Sequence, residues 1–232
     1  MNDYLLFVDT ETSGLPKDWD KPYSDRDNWP FIVQIAWSIY TKDGKEVKYE
    51  NHFIEDKDYE ILEASREIHG ITHEFLQKHG KDRGNVMKIL LADLKKYQPL
   101  VVSHFIQLDF HMLSVGFYRA GLENPLLVLP KFCTMQLTYG FVHYNHHKFL
   151  RLGELYQRLF NSPLDNQHNA LADAQAVAKC FFELKRKGDI TDKVIQNQNK
   201  PKAWKFNIFQ KEGFGFVILI LFILSLYIIH LL

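Results

Sequence analysis

The chain has 232 residues, 46% of them hydrophobic and 24% charged, a composition that predicts a packed core rather than a disordered chain. Its 28 basic side chains balance 28 acidic ones, so bulk charge gives no ground for a nucleic-acid partner and any basic grip must be local. The two cysteines, Cys133 and Cys180, stand among apolar neighbours without a CxxC spacing, which fits free buried thiols in a reducing compartment.

No internal repeat is visible. Residues 4–8 (YLLFV) read as a buried strand that begins almost at once, and we expect no signal peptide before it. Residues 13–30 are polar and rich in Pro, Asp and Trp. They predict a long loop beside the end of that strand, where function often sits. Residues 31–40 (FIVQIAWSIY) read as a second strand. Lys42, Asp43 and Gly44 signal a turn, and residues 45–54 return as a third strand of an antiparallel meander. Six basic residues between 78 and 96 make either a solvated helix face or a nucleic-acid patch.

Val86, Met87, Leu90, Leu91 and Leu94 share one helix face. Residues 100–104 predict a strand, 109–120 a helix ended by Gly121, and 132–135 a short strand. Residues 152–160 and 169–187 predict two further helices. This order describes an α/β domain, residues 1–187, with a mixed sheet (an antiparallel meander of three strands plus parallel strands) flanked by helices. Residues 188–213 read as a polar, basic linker, its polar part at 188–202. Residues 214–232 (FGFVILILFILSLYIIHLL) hold no Asp, Glu, Lys or Arg, and His230 is their one histidine. About 20 apolar residues span a bilayer core, so this run predicts one transmembrane helix inserted as a tail anchor. Lys200, Lys202, Lys205 and Lys211 lie on its N-terminal side with Trp204 as an interfacial anchor. The positive-inside tendency then keeps the preceding domain in the cytoplasm.

Asp9 and Glu11 follow the first strand and point to one side if that strand continues, because strand side chains alternate. Asp109 lies on the apolar stripe of its helix with Met112, Leu113 and Gly116; Asp173 lies likewise with Ala176, Val177 and Cys180. A carboxylate turned inward is costly unless paired or bound to a cation. No inward lysine or arginine stands beside them, and hard oxygen ligands favour Mg²⁺ or Mn²⁺. Two such ions stabilise the attacking and leaving oxygens of phosphoryl transfer. His168, just before the last helix, suits the role of general base.

Asp9-Thr10-Glu11-Thr12-Ser13-Gly14-Leu15 resembles the first motif of the DnaQ-like, or DEDDh, 3′→5′ exonucleases. Ile68-His69-Gly70-Ile71-Thr72 is similar to that family's IHGIT segment. Residues 103–109 (SHFIQLD) resemble its second motif, and His168 through Asp173 its H-x4-D third motif. The resemblance runs from about residue 4 to 187. It implies a ribonuclease-H-like fold and a nuclease that trims a single-stranded 3′ end into 5′-mononucleotides. It further implies that Asp9, Glu11, Asp109 and Asp173 hold two metal ions and that His168 is the general base. Thr12 and Leu15 would line the terminal nucleotide, with His69 nearby. The Thr-Glu-Thr-Ser-Gly form looks more like proofreading relatives, which favours DNA over RNA. Phe105 departs from the pattern, since an Asn usually follows the motif histidine. Its ring offers stacking on a base instead. Two rival readings are an RNA-trimming exonuclease and an inactive, membrane-tethered module that binds nucleic acid or a partner protein.

Overall fold

The computed structural model describes residues 2–57, 59–141 and 149–200. Its six-stranded sheet is built from β1 (Tyr4–Thr12), β2 (Ile32–Thr41), β3 (Glu46–Glu55), β4 (Lys81–Asp82), β5 (Leu100–Ser103) and β6 (Lys131–Cys133), in the order β4-β3-β2-β1-β5-β6. β1, β2 and β3 form the expected antiparallel meander, and β5 and β6 run parallel to β1. The helices are α1 (Glu63–His69), α2 (His73–His79), α3 (Arg83–Tyr97), α4 (Ile106–Arg119), α5 (Thr134–Leu137), α6 (Leu152–Phe160), α7 (Ala170–Lys187) and α8 (Asp192–Asn199).

The alternation of β1 decides what each face holds. Leu6 and Val8 belong to a core with Leu90, Leu113 and Phe117 from α3 and α4. Leu5 and Phe7 belong to a second core with Val177, Phe181 and Leu184 from α7. β1 thus lies between two apolar layers, which is why residues 5–8 are all apolar rather than alternating.

Several boundaries differ from the sequence expectation. β1 runs on to Thr12, four residues past the apolar segment, because Asp9, Thr10 and Glu11 keep pairing with Ala36, Ile35 and Gln34. α4 begins at Ile106, so Asp109 sits in its first turn instead of opening it. The short strand expected at 132–135 is β6 only as far as Cys133, and Thr134 already starts α5. α1, α2 and β4 carry no strong periodicity and were not expected. Four of the six basic residues between 78 and 96 take protein partners. Lys81 contacts His52, Arg83 pairs with Asp56 at 2.5 Å, Lys95 pairs with Glu123, and Lys96 lies over the Tyr97 ring at 4.8 Å.

The stretch from 188 is not simply a linker. Gly188 (φ 86°) closes α7 in the left-handed region, and Thr191 then caps α8 through the Val194 N–H. The Gln198 side chain accepts from Cys133 N (2.8 Å) and donates to Cys133 O (3.1 Å). The Asn199 side chain does the same to Lys131, at 2.8 Å for both bonds. Two amides therefore satisfy the open edge of β6 as a neighbouring strand would. The folded body extends to residue 199, held by these side-chain amides and by Ile190 and Ile195, which are buried in the second core. Among the described residues no helix is long and apolar enough to cross a membrane. The expected transmembrane run, 214–232, lies outside them.

Candidate active site

Four carboxylates converge at the carboxyl end of β1. Asp9 and Glu11 come from the strand itself. Asp109 comes from the first turn of α4 and Asp173 from the first turn of α7. α4 and α7 cover opposite faces of the sheet, so the acids approach β1 from both sides. Asp109 is buried and fixed by two hydroxyls: Thr10 Oγ1 donates to Oδ1 at 2.8 Å, and Ser103 Oγ donates to Oδ2. Both bonds favour the carboxylate, yet burial outweighs them and lifts its pKa to about 6. Glu11 rises to about 7 through burial, then through repulsion by Asp173 and Asp109. Asp9 is pushed well up by burial and by the charges of Asp109, Asp173 and Glu11.

Asp173 is raised by burial, against the lowering effect of His168. Its Oδ2 accepts the His168 N–H at 2.8 Å. Its Oδ1 is buried and has no hydrogen-bond partner among the described atoms. None of the ion pairs among the described residues reaches any of the four acids. Ligand atoms of Glu11, His168 and Asp173 lie within 4.8 Å of one another. Buried acids that repel each other, one with an orphaned oxygen, are a donor set that suits a hard divalent cation.

His168 is exposed and has φ 65°, a left-handed conformation uncommon for a residue with a side chain. That turn points its N–H at Asp173 and leaves the imidazole at the rim. His69 stands across from it, and both line an open pocket of ≈ 460 Å³ with Asn169 and Gln175. The His69 tautomer follows from its bonds. Nδ1 accepts from Ile71 N at 3.0 Å, so Nε2 carries the proton and faces Thr12 O at 3.3 Å. The turn that allows this has Gly70 at φ 70°. Burial holds the His69 pKa below its usual value.

Thr12 is buried, its hydroxyl donating to Gly14 O at 2.7 Å, while Leu15 is 68% exposed. Phe105 is half-buried at the N-cap of α4, where it meets Trp19. The structure therefore brings together Asp9, Glu11, Asp109, His168 and Asp173, with His69 and Thr12 alongside. Sequence reasoning missed Thr10 and Ser103, which hold Asp109. It also missed Gln34, whose Oε1 accepts the Ala170 N–H at the start of α7 (3.3 Å) and ties that helix to β2. Thr10 and Ser103 were within reach, lying inside the motif segments. A strand glutamine carries no such signal.

An α/β domain with acids converging at the end of its central strand is the class that fold and site define. Residues 6–181 match the RNase T family of exonucleases, and the chain belongs to that family. No curated protein matches the sequence. Among solved structures the chain is similar to E. coli exonuclease I. The complex of that protein with a dA16 oligonucleotide superposes with a TM-score of 0.67 at 14% identity, over 84% of this chain and 43% of that one. Its complex with dT13 gives 0.65 at 15%, over 81% and 43%. Its zinc-bound complex with single-stranded DNA gives 0.66 at 14%, over 85% and 43%. The likeness is one of fold, and the chain spans less than half the length of exonuclease I.

Proposed function

We propose that this chain is a divalent-cation-dependent 3′→5′ exonuclease that trims single-stranded nucleic acid, DNA in preference to RNA, into 5′-mononucleotides. The observation that carries the proposal is the set of four converging acids that no described cationic side chain pairs with, one of them keeping an orphaned buried oxygen. A binding module has no need of so costly an arrangement. Family membership supports the reaction, and the oligonucleotide complexes of exonuclease I support the substrate class.

Asp9, Glu11, Asp109 and Asp173 are the residues that would hold two Mg²⁺ or Mn²⁺ ions. Such ions supply charge stabilisation to the attacking and leaving oxygens of phosphodiester hydrolysis. His168 takes the proton from the attacking water, and its exposed position at the rim leaves it open to solvent for release of that proton. Water adds at phosphorus, the 3′-oxygen of the remaining strand leaves, and the terminal nucleotide departs with its 5′-phosphate. Thr12 and Leu15 line that nucleotide, His69 orders the Thr12 carbonyl, and Phe105 stacks on a base. Thr10 and Ser103 position Asp109.

Residues 214–232 form a transmembrane anchor in this reading, supported by their lack of Asp, Glu, Lys and Arg and by the lysines before them. The nuclease domain then lies in the cytoplasm and runs to residue 199, followed by a short basic linker. The test of the function is hydrolysis of 5′-labelled single-stranded DNA and RNA of matched sequence by the full chain, with EDTA, Mg²⁺ or Mn²⁺. Stepwise 3′ shortening that EDTA abolishes and Mg²⁺ or Mn²⁺ restores is expected. Asp9→Ala should lose at least about a thousandfold, several kcal/mol of transition-state stabilisation. Full activity after exhaustive chelation sinks the metal reading. Faster loss of RNA selects the RNA-trimming alternative, and no trimming of either polymer selects the binding module.

A further inference from the structure

We infer that Trp19 and Phe105 form a two-ring corner that stacks on a base of the single strand near its 3′ end, so that Trp19 is a further substrate-binding residue; this rests on the exonuclease reading. Trp19 lies in the loop leaving the carboxyl end of β1, and Phe105 lies in the turn leaving the carboxyl end of β5. These strands are parallel neighbours, and ligands of open α/β sheets bind in the crevice outside such carboxyl ends. Asp9 and Glu11 lie on the same end of β1, and Asp109 lies one turn beyond Phe105 on α4. The two rings meet with centroids 6.1 Å apart and planes at 67°. An edge-to-face pair of this kind makes a corner.

The loop packs on His111 through three rings, Trp19 at 5.6 Å among them. Trp29 is 2% exposed and stacks on His111 at 5.2 Å, and Tyr23 OH contacts His111 Nδ1 at 3.1 Å. Arg119 ties the far end of the loop to α4, donating to Trp29 O and Pro30 O at 2.7 Å each. Trp19 and Phe105 remain half-buried at the edge of this cluster. Trp19 is also held in place. Asp18 N donates to Asn28 Oδ1 at 2.8 Å, and Asn28 Nδ2 donates back to Asp18 O at 2.9 Å, which fixes the backbone just before it. Acidic and basic side chains in the loop nearly cancel. Trp19 stands between the exposed Asp18 and Asp20, so what it can add to binding is ring surface and not charge, and stacking on rings accepts any base.

The test compares kcat/KM of the full chain in Mg²⁺ on an intact DNA oligonucleotide and on a series with one abasic site walked through the 3′-terminal nucleotides. Trp19→Leu and Phe105→Leu should each lose about tenfold on the intact strand, mainly in KM. At one abasic position the wild type should lose more than either variant loses, because each variant has already forfeited one of the two ring contacts, as a double-mutant cycle requires. Trp19→Tyr restores a ring and should recover most of the loss, which separates stacking from a disturbed loop. The inference is overturned if the ratio of intact to abasic turnover is the same in wild type and variants at every position, or if Trp19→Tyr is as poor as Trp19→Leu. In that event wild-type trimming leaves the exonuclease reading standing. A wild type that trims nothing overturns both.

Discussion

Replacing Glu11 by glutamine should make the metal-free protein more stable while destroying its activity. Burial and the charges of Asp173 and Asp109 lift the Glu11 pKa from 4.5 to about 7. The folded state therefore holds a proton that the unfolded chain has released between those pH values. Stability must fall as pH rises through that window, because the folded state binds more protons than the unfolded one. Each pH unit of the difference is worth about 1.4 kcal/mol, so the charge on Glu11 costs the folded state roughly 3 kcal/mol at pH 8. A glutamine amide keeps the shape of the protonated carboxyl and carries no charge. In urea unfolding with EDTA, Glu11→Gln should match wild type near pH 4.5 and exceed it by roughly 3 kcal/mol at pH 8. Mg²⁺ should stabilise wild type at pH 8 and the variant far less. The reasoning fails if wild-type stability is flat from pH 4.5 to 8, or if the variant is the weaker protein at pH 8 without metal.

His168→Ala should cost about 10²–10⁴-fold in rate; a variant with unchanged rate would make His168 structural. A chain ended at residue 187 loses the four amide bonds that cover Lys131 and Cys133. At about 1 kcal/mol for each bond it should be several kcal/mol less stable than one ended at residue 200, and it should self-associate through the bared edge of β6. Equal melting and a monomeric shorter chain would refute the role given to α8. The full chain should resist carbonate extraction from membranes, with its nuclease domain open to cytosolic protease, whereas a chain ended at residue 200 should be soluble. Release of the full chain by carbonate counts against the anchor, and protection from that protease reverses its orientation.

The mixed sheet, the meander and the principal acids were legible in the sequence because each rests on local chemistry. A run such as residues 5–8 reads as a strand buried on both faces. Asp109 and Asp173 stand out because a carboxylate on an apolar helix stripe violates the pattern around it. The family motifs then set the acids in order along the chain. What pairing and distance decide was not legible. Asp9 and Glu11 share a side only because β1 continues to Thr12 by pairing with β2. Thr10 and Ser103 hold Asp109 because α4 is packed on the face of β1 that Thr10 occupies, and Gln34 reaches α7 across 136 positions of sequence. The polar residues 192–199 look like linker until β6 is beside them, where two side-chain amides complete the edge of a sheet. Sequence periodicity records where apolar surface must be buried. Which polar atoms find each other depends on the path of the whole chain, and that only the tertiary structure decides.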